Sequence, residues 1–281
     1  MLTSTLPVLF TAVLVQSEGT DMHSKTASII GISRDQAKIL NYARIYGAAQ
    51  QFAAQLLVRF NPNAPQAAAY AKAEQLYTST KGAAVTKNDR ARGNYTAWEG
   101  GSESETFNKL ESIARMKTPV TPVLKAQISS GLQPRYFGAQ SDQFLRSRVN
   151  WCVQSSAVDY LHILVVSMTE LFTRYDIKGR YCISIHDEIR YIVADEDVDR
   201  AAYALHLSNM YVRALFSHAV GIPDLPEGVA FFSAVDIDHV IRKEVYLDCL
   251  TPSNMIPEAP GESVDIHTIG ERVGWSLEKR R

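Results

Sequence analysis

The chain has 281 residues, room for one large domain or two smaller ones with an ample hydrophobic core. Its 29 Lys and Arg against 30 Asp and Glu leave a net charge of -1 and a pI near 6.7, which excludes a surface that is a basic nucleic-acid footprint throughout and leaves a local basic groove open. Cys152, Cys182 and Cys249 are odd in number, far apart and without zinc-type spacing, so neither a disulfide framework nor a zinc site is expected and a reducing compartment fits.

In chain order, "MLTSTLPVLFTAVLVQSEG" holds an apolar run from Leu6 to Val15, too short to span a membrane and without the positive flank of a secretory signal; a buried or disordered leader is expected. No later stretch approaches 18 consecutive apolar residues, so no membrane span is expected. From Ser33 to Phe60 the composition predicts one or two strong helices, opened by a capping box of Ser33 and Gln36. "NPNAP" breaks the pattern, and an alanine-rich helix follows from Gln66 to about Thr80. Lys81 to Ser102 is polar and Gly-containing and reads as a loop. "ESETFNKLESIARM" reads as a helix stopped by Pro119 and Pro122. A loop around "SSGLQPRYFGAQSD" precedes one long helix or two shorter ones over 143–175. Residues 197–219 are helical again, and "GVAFFSAVDIDHVIRKEVYLDCL" reads as strand, short helix, strand.

Between these helices, "RYCISIHDEIRYIV" alternates as a hairpin does: Tyr181, Ile183 and Ile185 are expected on one face, and Ile189, Tyr191 and Val193 repeat the pattern on the return strand. Its tip is His186-Asp187-Glu188 rather than the Asn-Gly or Gly-X that tight turns favour, so something other than turn propensity placed two carboxylates and an imidazole there. The plain alternative is a solvated acidic turn.

Arg34, Lys38, Tyr42 and Tyr46 follow at steps of four, drifting about 40° per step, and form one helical stripe about 18 Å long. Two cations lie near the helix N-terminus, where the dipole already favours an anion, and two hydroxyl-bearing rings lie further along, a layout suited to a nucleoside triphosphate. His23 and Lys25 in "GTDMHSKTA" add cations. The plain alternative is an amphipathic helix with its tyrosines packed inward.

Arg34, Lys38 and Tyr46-Gly47, spaced as Arg, three residues, Lys, seven residues, Tyr-Gly, resemble motif B of the family A DNA polymerases, and His186-Asp187-Glu188 in a hairpin resembles their motif C. "NYARIYGA", "ESETFNKLESIA", "RVNWCVQSSAVDYLH", "CISIHDEIRY" and "AFFSAVDID" are similar to the mitochondrial members of that family, over roughly Gly19 to Arg281. The resemblance implies an α+β fragment of a right-hand polymerase: a non-matching leader at 1–18, a mostly helical fingers-like region at 19–125 and a partial palm at 126–281 with motif C in a small antiparallel sheet. It implies template-directed DNA synthesis with a DNA primer-template and deoxynucleoside triphosphates as partners, Mg²⁺ in a two-metal site, a processivity subunit on the full-length enzyme, no membrane, and the mitochondrial matrix as location.

Carried over residue by residue, Lys38 and Arg34 contact the triphosphate, Lys38 also as a catalytic residue; His23 lies near the phosphates, Tyr42 by the sugar and Tyr46 at the nascent base pair. Arg44, an unusual charge between the tyrosines, is expected to support the closed fingers. Asn150 and Gln154 lie one helical turn apart with amides pointing the same way; the resemblance places them at the primer-template minor groove, where acceptors recur on nearly every base pair and geometry is tested without reading sequence. Asp187 is the catalytic metal ligand, Glu188 a weaker or outer partner of the metal, and His186 a contact to the primer end.

The resemblance also has gaps. The second aspartate of a two-metal site comes, in the family, from a motif A strand upstream of motif B, and no such segment is recognisable here. The site is therefore expected to be incomplete in this stretch and the chain an inactive fragment; the alternative is a non-catalytic nucleotide- and DNA-binding remnant or truncated gene product. Asp236 and Asp238 in "AVDID" are expected to be structural. Ala49 stands where the family leads one to expect Gly, which questions the turn after the motif B helix.

Overall fold

The computed structural model describes residues 22–89, 93–138, 142–185, 188–221 and 235–279, and within them the chain is α+β, with helices carrying three small antiparallel hairpin-like sheets. Two compact units divide at Asp159/Tyr160. The leader and the hairpin tip at His186-Asp187 lie outside the described residues. Among those described, no helix is long and apolar enough to cross a membrane.

The first unit opens with α1 (Met22–Ile30), α2 (Arg34–Ile45), α3 (Gln50–Phe60) and α4 (Gln66–Thr80). The capping box forms as its residues predict: Gln36 N–H donates to Ser33 Oγ at 3.2 Å and Ser33 N–H donates to Gln36 Oε1 at 3.0 Å. Ile30, Leu40, Ala53, Leu57, Ala69 and Ala73 form the core between these helices, the alanines letting the helix backbones approach closely. The break at "NPNAP" and the alanine-rich helix stand where the sequence puts them.

The expected loop at 81–102 is instead a hairpin, β1 (Ala83–Asp89) paired with β2 (Gly93–Glu99) in register from Ala83↔Glu99 to Asp89↔Gly93. Val85, Thr86, Tyr95, Thr96 and Trp98 are strong strand formers, but Lys87, Asn88 and Asn94 between them hide the alternation. The pairing is fixed from outside by α5 (Ser104–Ala114). Asn108 bonds the Trp98 N–H at 2.8 Å and the Trp98 carbonyl at 2.9 Å, and Glu111 accepts from the indole at 2.9 Å. Gly82 is required at the entry: its φ is +85°, and a Cβ there would sit 2.2 Å from the Glu99 carbonyl oxygen.

One continuous helix, α6 (Leu145–Arg174), occupies the region read as one long helix or two. Its residues to Asp159 belong to the first unit and the rest to the second. In the second unit Met168, Phe172 and Ile177 pack with Ala201, Tyr203 and Ala204 of α7 (Val198–Val220), which ends on Gly221 at φ +79°. The same core takes in β5 (Val235–Ile237), β6 (Glu262–Val264) and α8 (Ile266–Val273).

Two readings of the second unit are corrected. "EVYLDCL", expected as a strand, forms turns, and the partner of β5 is β6, in register Val235↔Val264. In the motif C hairpin, β3 (Gly179–Ile185) and β4 (Glu188–Val193) pair Tyr181 with Tyr191 but Ile183 with Arg190 and Ile185 with Glu188. The shift is a bulge at Cys182. It turns Ile183 and Ile185 away from the Tyr181 face, so the three do not share one side, and they are exposed rather than half-buried. Tyr191 and Val193 pack onto the core, with the Tyr191 ring edge-on to Phe172 at 5.6 Å.

Candidate functional site

The four-residue stripe of α2 lies on its outer face. Ala37, Leu40, Asn41 and Arg44 are buried, while Lys38 is exposed and Tyr42 and Tyr46 retain 43% and 39% of their surface, so the tyrosines do not pack inward. Their rings lie parallel, 6.0 Å apart and 10° from coplanar. Lys38 Nζ stands 6.0 Å from the Tyr42 centroid, and the His23 ring of α1 meets Tyr42 edge-on at 5.6 Å. The structure thus gathers His23, Lys38, Tyr42 and Tyr46, with Arg34 one turn nearer the helix start: cations at one end and a flat aromatic platform at the other.

Beneath that face lies a polar network that the sequence reading did not find. Arg44 is 2% exposed and takes Glu103, at the N-cap of α5, in a two-pronged ion pair, with Nη2 to Oε1 at 3.0 Å and Nη1 closing on Oε2. Arg44 Nη2 also donates to Asn41 Oδ1 at 3.4 Å. Asn41, fully buried, places Nδ2 3.0 Å from Thr26 Oγ1 and 3.2 Å from His23 Nδ1. Arg44 therefore supports α2 from inside. Its partner stands 59 residues away, and only the lone charge between two tyrosines hinted at it.

After α2 the chain turns at Gly47, φ +89°, where a Cβ would come 3.3 Å from the Arg146 carbonyl oxygen; the glycine of Tyr-Gly is the one the geometry needs. Ala49 sits at φ -77°, ψ 158°, a conformation any residue adopts, so alanine is no obstacle to this turn. Tyr77 Oη holds the turn by donating to the Ala48 carbonyl at 2.6 Å, and burial pushes its phenol up to about 12, keeping it a donor. A cleft of about 380 Å³ opens beside Gly47, lined by Lys81, Trp98, Glu111, Arg115 and Arg146 among others. Lys81 Nζ lies 3.9 Å over the Trp98 ring; burial pushes its ammonium down, against the pull of Glu111.

Asn150 and Gln154 do point together. Gln154 Nε2 donates to Asn150 Oδ1 at 2.9 Å, which pre-orients both amides and leaves N–H groups on each that could meet an acceptor. In the second unit, Arg190 Nε pairs with Glu188 Oε1, so the described part of the hairpin end offers one carboxylate already held by a cation. Among the described residues no group of three or more His, Cys, Asp or Glu could hold a metal. His186 and Asp187 lie outside them. Asp238 is tied to Arg242 at 3.0 Å and to the Val240 N–H at 3.1 Å, holding its own loop.

A family model described as DNA polymerase family A matches residues 4–218, starting inside the stretch set apart above as leader. The chain is 52% identical over 254 residues to the DNA polymerase gamma of Komagataella pastoris, covering 90% of this chain and 24% of that protein. It is 50% identical over 257 residues to the Neurospora crassa protein named DNA polymerase gamma, mitochondrial, covering 92% of this chain and 17% of that one. To the chicken DNA polymerase subunit gamma-1 it is 46% identical over 316 residues, covering 94% and 48%. The chain thus spans less than half the length of each of these relatives.

Proposed function

The chain belongs to DNA polymerase family A, and on that premise we propose that it supplies the nucleotide- and DNA-contacting part of a mitochondrial template-directed DNA polymerase. The observation that carries the reading is the exposed stripe of α2, cations leading to a stacked tyrosine pair with His23 against it. Arg34, Lys38 and His23 bind the triphosphate of an incoming deoxynucleotide, Lys38 also stabilising charge as the pyrophosphate leaves. Tyr42 stands by the sugar and Tyr46 at the nascent base pair. Asn150 and Gln154 donate to minor-groove acceptors of the primer-template, and His186 contacts the primer end.

Family membership points to a divalent cation. Of the two residues proposed for Mg²⁺, Asp187 is outside the described residues and Glu188 is paired with Arg190. We propose Asp187 as the ligand of Mg²⁺ and Glu188, whose carboxylate is engaged by Arg190, as an outer partner, the ion taking its remaining oxygens from substrate phosphates and water. The names of the relatives support a mitochondrial location, and we propose the matrix, where a DNA-replicating enzyme meets its template, with a processivity subunit joining the full-length enzyme.

The test is replacement: residues 22–279 of this chain exchanged for the matched segment of the Komagataella polymerase, which is 52% identical, followed by primer extension. Extension that Lys38→Ala weakens supports the reading. A chimera that folds and binds primer-template yet cannot add a templated nucleotide overturns it.

A further inference from the structure

The loop that joins β5 to β6 is built from within. Arg242, its side chain 3% exposed, donates to Asp238 Oδ1 at 3.0 Å, to the Leu247 carbonyl at 2.5 Å and to the Ala259 carbonyl at 2.6 Å, so one guanidinium clasps both limbs. The limbs also bond to each other: the Gly261 N–H donates to the Val245 carbonyl at 2.9 Å and the Glu258 N–H to the Asp248 carbonyl at 3.1 Å. Three steps along one limb match three steps back along the other, as in an antiparallel pair. Thr251 and Asn254 close the far end by exchanging backbone bonds at 2.9 and 3.1 Å. Pro252, Pro257 and Pro260 narrow the conformations open to the loop before any partner arrives. The same loop carries Ile241, Tyr246, Leu250, Met255 and Ile256, which keep between 48% and 75% of their surface exposed. Single exposed apolar residues are ordinary, but this concentration on one internally pinned loop marks an interaction surface.

We propose that the loop at 238–261 is a docking element, seated through these five side chains in an apolar groove of the polypeptide that a full-length polymerase carries outside the segment matched here. The chain spans 24%, 17% and 48% of the Komagataella, Neurospora and chicken relatives, so most of each relative is polypeptide covalently joined to the matched segment. The aligned span of the chicken relative covers 94% of this chain, so it runs past Ile256, beyond residue 218 where the match of the family model ends. The loop sequence is therefore shared with a relative that has the additional polypeptide. Size points the same way: an independent partner or a second copy needs about 20–30 residues a side for a stable interface. A covalently joined partner starts from an effective concentration in about the millimolar range, at which a contact of five side chains is enough. For its occupant the inference rests on the reading of the chain as part of a larger polymerase; the construction of the loop does not.

Met255 reports on the seat directly, because peroxide oxidises a thioether as its exposure allows. The 281-residue chain and the Komagataella chimera described above are treated with hydrogen peroxide, with free methionine as the clock, and sulfoxide at Met255 is read by peptide mass spectrometry. Oxidation in the chimera is expected to be about tenfold slower than in the chain alone. Ile256→Asp changes a side chain that is 75% exposed, so the unfolding midpoint of the 281-residue chain is expected to stay where it is. In the chimera the same substitution is expected to return Met255 to the rate of the chain alone. A chimera too unstable to purify is replaced by the Komagataella polymerase carrying residues 238–261 alone, in which the same rates are compared.

Equal oxidation rates in chain and chimera overturn the docking, and protection that Ile256→Asp does not relieve overturns the part given to these side chains. Protection in the chain alone that grows with its concentration makes the loop a contact between copies and overturns the proposal too. A chimera that shields Met255 yet extends no primer upholds the docking and sinks the polymerase reading; one that extends primer with Met255 unshielded does the reverse.

Discussion

Among the described residues each unit buries an arginine beside a carboxylate, Arg44 with Glu103 in the first and Arg200 with Asp197 in the second, and these two pairs are built differently. In the second unit Arg200 donates from Nε to the Leu277 carbonyl at 2.8 Å and from Nη2 to the Tyr175 carbonyl, with Asp197 accepting from Nη1 at 2.6 Å. Two of these three partners are main chain, one just past α6 and one beyond α8. In the first unit, among the described residues, the Arg44 guanidinium hydrogen-bonds to side chains, Glu103 and Asn41. A backbone carbonyl cannot leave without unfolding its segment, whereas a side chain can change rotamer. Arg200 therefore closes a fold; Arg44 arranges the side chains under an exposed face.

The largest effects test that contrast directly. Arg200→Met is expected to cost about 3–5 kcal/mol of stability by leaving the buried Asp197 carboxylate without its counter-ion, with the Lys178 N–H still donating to it, and adding Asp197→Asn is expected to leave most of the loss, since the Leu277 and Tyr175 carbonyls lose the donor Arg200 gave them. Arg44→Met is expected to cost a similar amount, but Glu103→Leu added to it restores most, because an apolar pair can replace a buried ion pair held by side chains. Urea unfolding of the four variants decides the matter. Rescue in both units, or in neither, breaks the comparison.

Next in size is the face that Arg44 supports. Lys38 is exposed, so Lys38→Ala is expected to leave stability within about 0.5 kcal/mol while costing about 1.5–3 kcal/mol of triphosphate affinity, roughly ten- to a hundredfold. Equal losses in unfolding and in binding titrations would make Lys38 a packing residue and remove the distinction between a supported face and its support.

The same two regions show what a sequence lays open. The α2 stripe and its capping box were legible because a helix satisfies its own backbone, so a spacing of four maps onto one face whatever lies elsewhere. Strands depend on partners. The alternation in β3 gave the hairpin but not the bulge at Cys182, and β1 and β2 were missed because α5 side chains, not their own pattern, complete them. Glu103 was invisible as the partner of Arg44 because nothing in a one-dimensional pattern brings residues 59 apart together.

The bulge carries a smaller prediction. Deleting Cys182 keeps Tyr181 opposite Tyr191 and Ile183 opposite Arg190, since only the extra residue is lost. Stability is expected to change by about 1 kcal/mol, and cross-strand contacts from Ile183 to Arg190 should persist in the NMR spectrum. An unbulged strand would behave otherwise, because a one-residue deletion would swing Ile183 and Ile185 to the opposite face.

The smallest effect separates the units by acid. His206 is buried in the second unit, its Nε2 3.2 Å from the Val264 carbonyl, and burial pushes the imidazole below its ordinary value although that carbonyl and Asp265 pull the other way. A base depressed in the fold binds its proton more readily when unfolded. Its contribution is therefore complete above the unfolded value of 6.5 and declines as pH falls from there towards the folded value. Carboxylates of the same unit act later: Glu262, held down by Arg272, and Asp265, held down by the Thr268 N–H, lose their contributions only below unfolded values of 4.5 and 3.8. Denaturant unfolding between about pH 7 and pH 5, where histidine is the side chain that ordinarily titrates, should thus show a shallow loss that His206→Gln abolishes, leaving the steeper carboxylate loss at lower pH in place. A loss of equal size in the variant would assign the acid sensitivity to some other group and leave His206 as packing alone.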